Sequence, residues 1–298
     1  MKQSTHRFYC FPVKTHYRKF LFWYNVLVQM VTDKRTGIMY RKQAARVPEA
    51  VFLLVHGLGT QSESWNCLSE FFLPYNISSY AIELRGFGET PDEKGHIGSF
   101  HTYFDDLRRL REVIALENKG KKIFLIGQSL GGIISFRVAL REPDLFDGLI
   151  CMAPAFVSRL KFGFSDYAGM AISLLYNPRK RFNMPFDSGM CTRDVDCRKV
   201  LDSDPREIRF ATSKLLLNIF IAQIRSRSTR GGISIPLLFL LSGKDMLVDT
   251  KASRRLFRAL KTEDKTVIEY PEMHHALNIA LTREKVFEDI LKWVKKRT

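Results

Sequence analysis

Ile123-Phe124-Leu125-Ile126-Gly127-Gln128-Ser129-Leu130-Gly131 is a short apolar run that ends in a serine framed by two glycines, and residues 133–140 continue it as an amphipathic helical stretch. A serine at a strand-to-helix corner, with glycine two residues to either side, has a physical explanation. The turn is so tight that the serine backbone is strained, and a side chain at Gly127 or Gly131 would collide with the neighbouring strand or helix. Such a corner lifts the hydroxyl clear of the sheet and turns the next backbone N–H, that of Leu130, toward a substrate. Gly-x-Ser-x-Gly occurs often by chance. The strand before it and the helix after it make it a nucleophile elbow rather than an ordinary glycine-rich turn.

A serine hydroxyl is a poor nucleophile until a base takes its proton and an acid orients that base. Downstream, residues 236–241 read as a buried strand ending in Ser242-Gly243-Lys244-Asp245. Residues 266–270 read as a shorter strand ending in Pro271-Glu272-Met273-His274-His275. Ser, then Asp, then His, each just past a strand exit, is the order of the α/β-hydrolase fold. Asp245 is the expected acid because it stands at the strand exit, whereas Asp249 suits the N-cap of a helix over residues 251–260. The base is His274 or His275, since both rings cannot point at Ser129. A second oxyanion donor besides the Leu130 N–H is expected where the strand at residues 50–55 runs into His56-Gly57-Leu58-Gly59, which places it at Leu58. His56 itself reads as bonded within that loop. A phosphate-loop reading of the same glycines fails, because no Lys-Ser or Lys-Thr pair follows.

Before residue 153 strands and helices alternate: strands at 50–55, 77–84, 123–126 and 145–152, helices at 65–73, 104–116 and 133–140. That alternation implies crossovers, hence a mainly parallel sheet covered by helices on both faces, with the site at the strand carboxyl ends. It stops after Ala153-Pro154 and resumes at Ile235-Pro236. The residues between are apolar, helical and free of strand patterns, and they are expected to act as a lid roofing an acyl pocket. The division is a hydrolase core over residues 1–155, a helical lid or cap over 156–232, and the rest of the core over 233–298. Helices at 250–260 and 283–295 close the chain. A packing subdomain without a gating role is the plainer alternative for the insert.

A chain of 298 residues with 45% hydrophobic and 26% charged content is of ordinary globular composition. The net charge of +16 is unevenly spread. Residues 1–46 hold ten Lys/Arg against one acid, residues 156–232 hold fourteen against seven, and the remainder holds twenty-three of each. A basic arm and a basic, apolar insert beside an ester-cleaving site point to an anionic membrane surface; no folded nucleic-acid motif is present, so no nucleic-acid partner is expected. Residues 20–31 are too short and too polar to span a bilayer, lack a signal-cleavage pattern, and read as a first strand paired with residues 37–41 across a turn at 33–37. Five cysteines (Cys10, Cys67, Cys151, Cys191 and Cys197) without metal-ligand spacing suggest free thiols and a cytoplasmic protein, which the basic segments would bring to a membrane surface. No metal or cofactor site is evident.

With these residues in place the chain resembles the monoacylglycerol lipase and lysophospholipase group of α/β-hydrolases. The resemblance runs from about residue 35 to the C-terminus. It rests on His56-Gly57-Leu58-Gly59 with Ser62, Arg85-Gly86-Phe87-Gly88, Gly127 to Gly132, Gly243-Lys244-Asp245, Tyr270-Pro271-Glu272-Met273-His274-His275, and a lid motif at Cys191-Thr192-Arg193-Asp194 with Asp204-Pro205. In that group the catalytic histidine stands five residues after such a tyrosine, which implies His275. The resemblance implies a cofactor-free serine hydrolase acting on a monoacyl lipid ester. Thioester hydrolysis or acyl transfer would use the same triad, and a non-catalytic binding protein could keep the same fold. Three departures stand out: Thr60-Gln61 for a common Glu-His pair near the alcohol end of the substrate, Glu83 for Asp, and Gln128 for His.

Overall fold

A computed structural model describes residues 28–229 and 231–298. The strands are β1 (Gln29–Thr32), β2 (Met39–Gln43), β3 (Ala50–Val55), β4 (Ile77–Glu83), β5 (Lys122–Gln128), β6 (Gly148–Met152), β7 (Arg181–Asn183), β8 (Phe210–Thr212), β9 (Leu237–Ser242) and β10 (Lys265–Tyr270). The helices are α1 (Asn66–Phe72), α2 (Phe100–Glu117), α3 (Leu130–Arg141), α4 (Phe164–Tyr176), α5 (Ser188–Cys191), α6 (Val195–Ser203), α7 (Ser213–Arg227), α8 (Thr250–Ala259) and α9 (Arg283–Lys295). Eight strands form one sheet in the order β1-β2-β4-β3-β5-β6-β9-β10. The pairs β1–β2 and β2–β4 are antiparallel, and every other pair is parallel.

The alternation of side chains divides two cores. Val51, Leu53 and Val55 face α2, α3 and α8, while Ala50, Phe52 and Leu54 face α1 and α9. Both faces are covered, so β3 and β9 are buried along their whole length and read as unbroken apolar runs. This is the α/β-hydrolase architecture expected from the alternation. In register Val55 lies beside Gly127, and Gly127 beside Cys151. The exits of β3, β5 and β6 therefore end at one level.

Several bounds differ from the expected ones for local reasons. Helix α2 begins a turn early because Ser99 caps it, accepting the His101 N–H. Helix α3 starts at Leu130, directly after the serine. Residues 145–147 are not strand: they form the turn in which the Asp147 carboxylate accepts the Ile123 N–H at 2.7 Å. The expected first strand is reduced to β1, and the part of it at residues 20–27 lies outside the described residues. Its turn is built on Asp33, whose carboxylate accepts the Arg35 and Thr36 N–H groups. The insert is not free of strands, since β7 and β8 pair antiparallel within it. Three-residue strands are below the length at which periodicity shows. Cys151, Cys191 and Cys197 form no disulfide, but Cys67 is disulfide-bonded, against the expectation of free thiols. No helix among the described residues is long and apolar enough to cross a membrane.

Candidate active site

Ser129 sits at φ 56°, ψ −115°, in the left-handed half of backbone space where a side chain is strained. It takes the N-cap place of α3, yet its hydroxyl makes no capping hydrogen bond. What over-determines this corner is the packing around it. A Cβ on Gly127 would overlap the Gly131 carbonyl and the Ser135 hydroxyl, and one on Gly131 would overlap the Val55 and His56 carbonyls. Backbone bonds bolt the turn to the exit of β6: Ser129 N–H donates to Met152 O at 3.0 Å, and Ala155 N–H to Ser129 O at 3.1 Å.

Asp245 is 1% exposed and His275 is 4% exposed. The Nδ1 of His275 lies 2.8 Å from Asp245 Oδ2. Asp245 Oδ1 accepts the N–H groups of Leu247 and Val248, both at 2.9 Å, so Oδ2 is the oxygen left to accept from Nδ1–H. That fixes the tautomer and leaves the Nε2 lone pair for a donor in the cavity that His275 and Ser129 both line. His274 points elsewhere. Its Nε2 accepts from Arg193 Nε at 2.8 Å and its Nδ1 donates to Gly189 O at 3.3 Å, both in the insert. Asp249 caps α8 by accepting the Ala252 N–H at 3.0 Å.

The loop after β3 closes over the serine, with the position of a Gly57 Cβ only 3.4 Å from Ser129 Cβ. Leu58 and Leu130, the expected oxyanion donors, both line the cavity. His56 is held inside the loop, with Nδ1 2.9 Å from Gly57 O and Nε2 accepting the Leu84 N–H at 3.0 Å. Burial pushes its pKa down to about 4, so the ring is neutral. Beneath the same loop Glu83 accepts from the Ser62 hydroxyl and from the Ser62 N–H. Burial raises the Glu83 carboxyl above its ordinary range, with the Ser62 bonds pulling the other way. In the sequence Glu83 stands out only as a departure from the family's Asp; its role follows from the pairing of β4 beside β3. Cys191 also lines the cavity, but burial pushes its thiol up to about 12, which leaves it a protonated, poor nucleophile.

The cavity measures about 660 Å³. Its floor is the sheet edge with Ser129, and its roof is apolar: Phe162, Met170, Leu174, Leu216, Leu217 and Phe220, all from the insert. The insert also grips the loops that carry the acid and the base. Arg159 donates to Asp245 O at 2.8 Å, and Val157 O accepts the Asp249 N–H at 2.9 Å. Cys191 O accepts the Ala276 N–H at 2.9 Å, and Thr192 donates to Ile279 O at 3.3 Å. No group of three or more metal-ligating side chains occurs among the described residues.

The family described as serine aminopeptidase, S33 (Hydrolase_4) matches residues 46–279 of the chain. Human monoglyceride lipase is 26% identical over 257 residues, covering 84% of each chain. Phospholipase YtpA of Bacillus subtilis is 25% identical over 251 residues, covering 81% of this chain and 93% of its own. The crystal structure of a Paleococcus ferrophilus monoacylglycerol lipase superposes with a TM-score of 0.77 at 27% identity, covering 88% of this chain and 99% of that one.

Proposed function

Because the chain belongs to the Hydrolase_4 family, serine aminopeptidase S33, we propose that it is a serine hydrolase cleaving carboxylic esters of acyl lipids of the monoacylglycerol or lysophospholipid type. Ser129 is the nucleophile, His275 the base and Asp245 the acid that orients it. The observation that carries this reading is the 2.8 Å Asp245–His275 contact at the rim of the cavity that Ser129 enters from a strained corner. The family description is that of a peptidase, but amide and ester cleavage share this machinery. The names of the relatives, two monoacylglycerol lipases and a phospholipase, favour an ester.

The reaction proceeds in two displacements. Nε2 of His275 takes the Ser129 proton as Oγ attacks the ester carbonyl carbon, and the carbonyl oxygen becomes an oxyanion between the N–H groups of Leu58 and Leu130. The imidazolium, stabilised by Asp245, then protonates the departing alcohol, leaving an acyl group on Oγ. Water enters, His275 takes its proton, the acid leaves and Ser129 is reprotonated. The apolar roof drawn from residues 156–232 supplies the acyl pocket, and its helices α4 and α7 work as a lid over core segments 28–155 and 233–298. Exposed apolar side chains on α4, with Phe164 89% and Leu175 90% exposed, support contact with a membrane surface that delivers the lipid.

The test is a set of three alanine variants assayed on p-nitrophenyl butyrate and labelled with a fluorophosphonate probe. Ser129→Ala removes labelling and turnover, and His275→Ala lowers kcat by about 10³-fold or more. His274→Ala stays within about threefold of the parent. Labelling that survives Ser129→Ala, or an inactive His274→Ala beside an active His275→Ala, refutes the assignment.

A further inference from the structure

The loop that follows β3 is held from two sides. From the core, Glu83 takes Ser62. From the insert, residues 204–208 reach the loop at four positions. Ile208 N–H donates to Gly59 O at 2.8 Å. Thr60 Oγ1 donates to Glu207 Oε1 at 2.8 Å. Gln61 Nε2 donates to Asp204 Oδ2 at 3.0 Å. Arg206 Nη2 donates to Glu63 Oε2 at 2.8 Å and to Asp204 Oδ2 at 2.6 Å, while its Nη1 reaches Glu89 Oε1 at 2.9 Å. The fit is close: Gly59 stands at φ +82°, and a Cβ there would overlap the Ile208 carbonyl.

The carboxylates of Glu63 and Asp204 are 8% and 4% exposed. Two buried carboxylates on opposing segments repel unless a cation lies between them, and a planar guanidinium with several fixed donors suits that place. Without Arg206, Glu63 would keep Arg41, at 3.3 Å, but the guanidinium bridge that ties it to Asp204 would be gone. The segment that begins one residue after Leu58 would then relax away from the elbow. Leu58 moves with it, and its N–H is useful only when aimed at the oxyanion.

We propose that Arg206 is a positioning residue for the oxyanion hole, acting through Glu63 and Asp204 to hold the loop that presents the Leu58 N–H to the tetrahedral intermediate. The segment around it is then a fixed strut of the active site rather than part of a swinging lid. This rests on the hydrolase reading above.

The experiment compares the parent chain with Arg206→Gln, Arg206→Lys and Thr60→Val. It measures kcat and KM on p-nitrophenyl butyrate, the inhibition constant of an alkyl trifluoromethyl ketone that mimics the tetrahedral adduct, and thermal stability. Loss of a whole oxyanion donor costs about 10²–10³-fold in kcat, so a misaimed one in Arg206→Gln is expected to cost roughly ten- to a hundredfold. KM stays within about twofold, ketone affinity falls by the same factor as kcat/KM, and Arg206→Lys recovers part of both. If Arg206→Gln does not fold, Thr60→Val carries the test, because it removes one hydroxyl and keeps the shape; a several-fold parallel loss is expected. Folded variants that lose only thermal stability, or change KM alone, overturn the strut while leaving the hydrolase reading intact. A parent chain without turnover overturns both.

Discussion

At the scale of single residues, His56 shows how burial sets a protonation state and through it a pH limit. Its ring is 1% exposed and packs edge-on against Phe87 at 5.7 Å. One nitrogen donates to Gly57 O and the other accepts the Leu84 N–H. A second proton would remove that acceptor in a site closed to water. The folded ring holds out to about pH 4, below the ordinary 6.5. Between those values the unfolded chain carries one more proton than the folded one, so stability falls as pH drops through that window and is fully present above it. At about 1.4 kcal/mol per pH unit the loss reaches roughly 3 kcal/mol near pH 4. Urea midpoints at pH 7.5 and 4.5 should differ more for the parent than for His56→Gln, and equal pH slopes would acquit this ring. The sequence placed His56 within its own loop, but its acceptor role toward Leu84 comes from the exit of β4, which no local spacing reports. The same limit explains the paired histidines. Covalent order alone could name Ser129 and Asp245, because each follows a strand whose end is visible as an apolar run. The choice between His274 and His275 turns on which ring faces Asp245, and Arg193 of the insert claims the other.

At the scale of elements, the core helices were legible because each buries one face with a helical period, the strands because burial on both faces leaves unbroken apolar runs, and the insert mainly as an interruption. Helix α4 shows why. Its residues are apolar almost all round, a pattern that in sequence suits a buried helix. Yet only Ser173 of its residues is buried, while Phe164, Ile172, Leu175 and Tyr176 are exposed. Helices α4 and α7 pack against each other and roof the cavity with Met170, Leu174 and Leu216, so the apolar residues are split between a pocket and an open face. Full burial of a Leu or Phe side chain contributes about 1.5–3 kcal/mol. A Phe164→Ser, Leu175→Ser double variant is therefore expected to lose at least about tenfold in partition to lipid vesicles, and similarly in rate on a vesicle-borne monoacyl ester. Turnover of soluble p-nitrophenyl butyrate should stay near the parent value, since neither side chain lines the cavity. Vesicle co-sedimentation equal to that of the parent would remove α4 from the membrane contact.

At the scale of the whole molecule, the proposed chemistry and the proposed membrane delivery fall on differently charged parts of the chain. The net charge of +16 is the sum of an excess of nine over residues 1–46 and seven over residues 156–232, from ten Lys/Arg against one acid and fourteen against seven. The remaining residues balance at twenty-three of each sign, so the part that carries Ser129, Asp245 and His275 is neutral overall. Arg179, Lys180 and Arg181 stand three to five residues beyond the end of α4 at Tyr176 and are exposed, with Arg179 paired to Glu93 at 2.7 Å. Such cations contribute about 1 kcal/mol each near an anionic lipid surface, over a range set by a Debye length of about 10 Å at 0.1 M salt. Catalysis at a short-range, buried Asp–His pair is not screened in the same way. Two dependences on salt should therefore separate. Between 0.05 and 0.5 M NaCl, partition to vesicles containing phosphatidylserine is expected to fall by about tenfold or more. Partition to pure phosphatidylcholine vesicles, and kcat/KM on the soluble ester, should change by less than about twofold. A salt-insensitive partition to the anionic vesicles would mean that the basic excess serves solubility alone, and the apolar face of α4 would have to hold the membrane unaided.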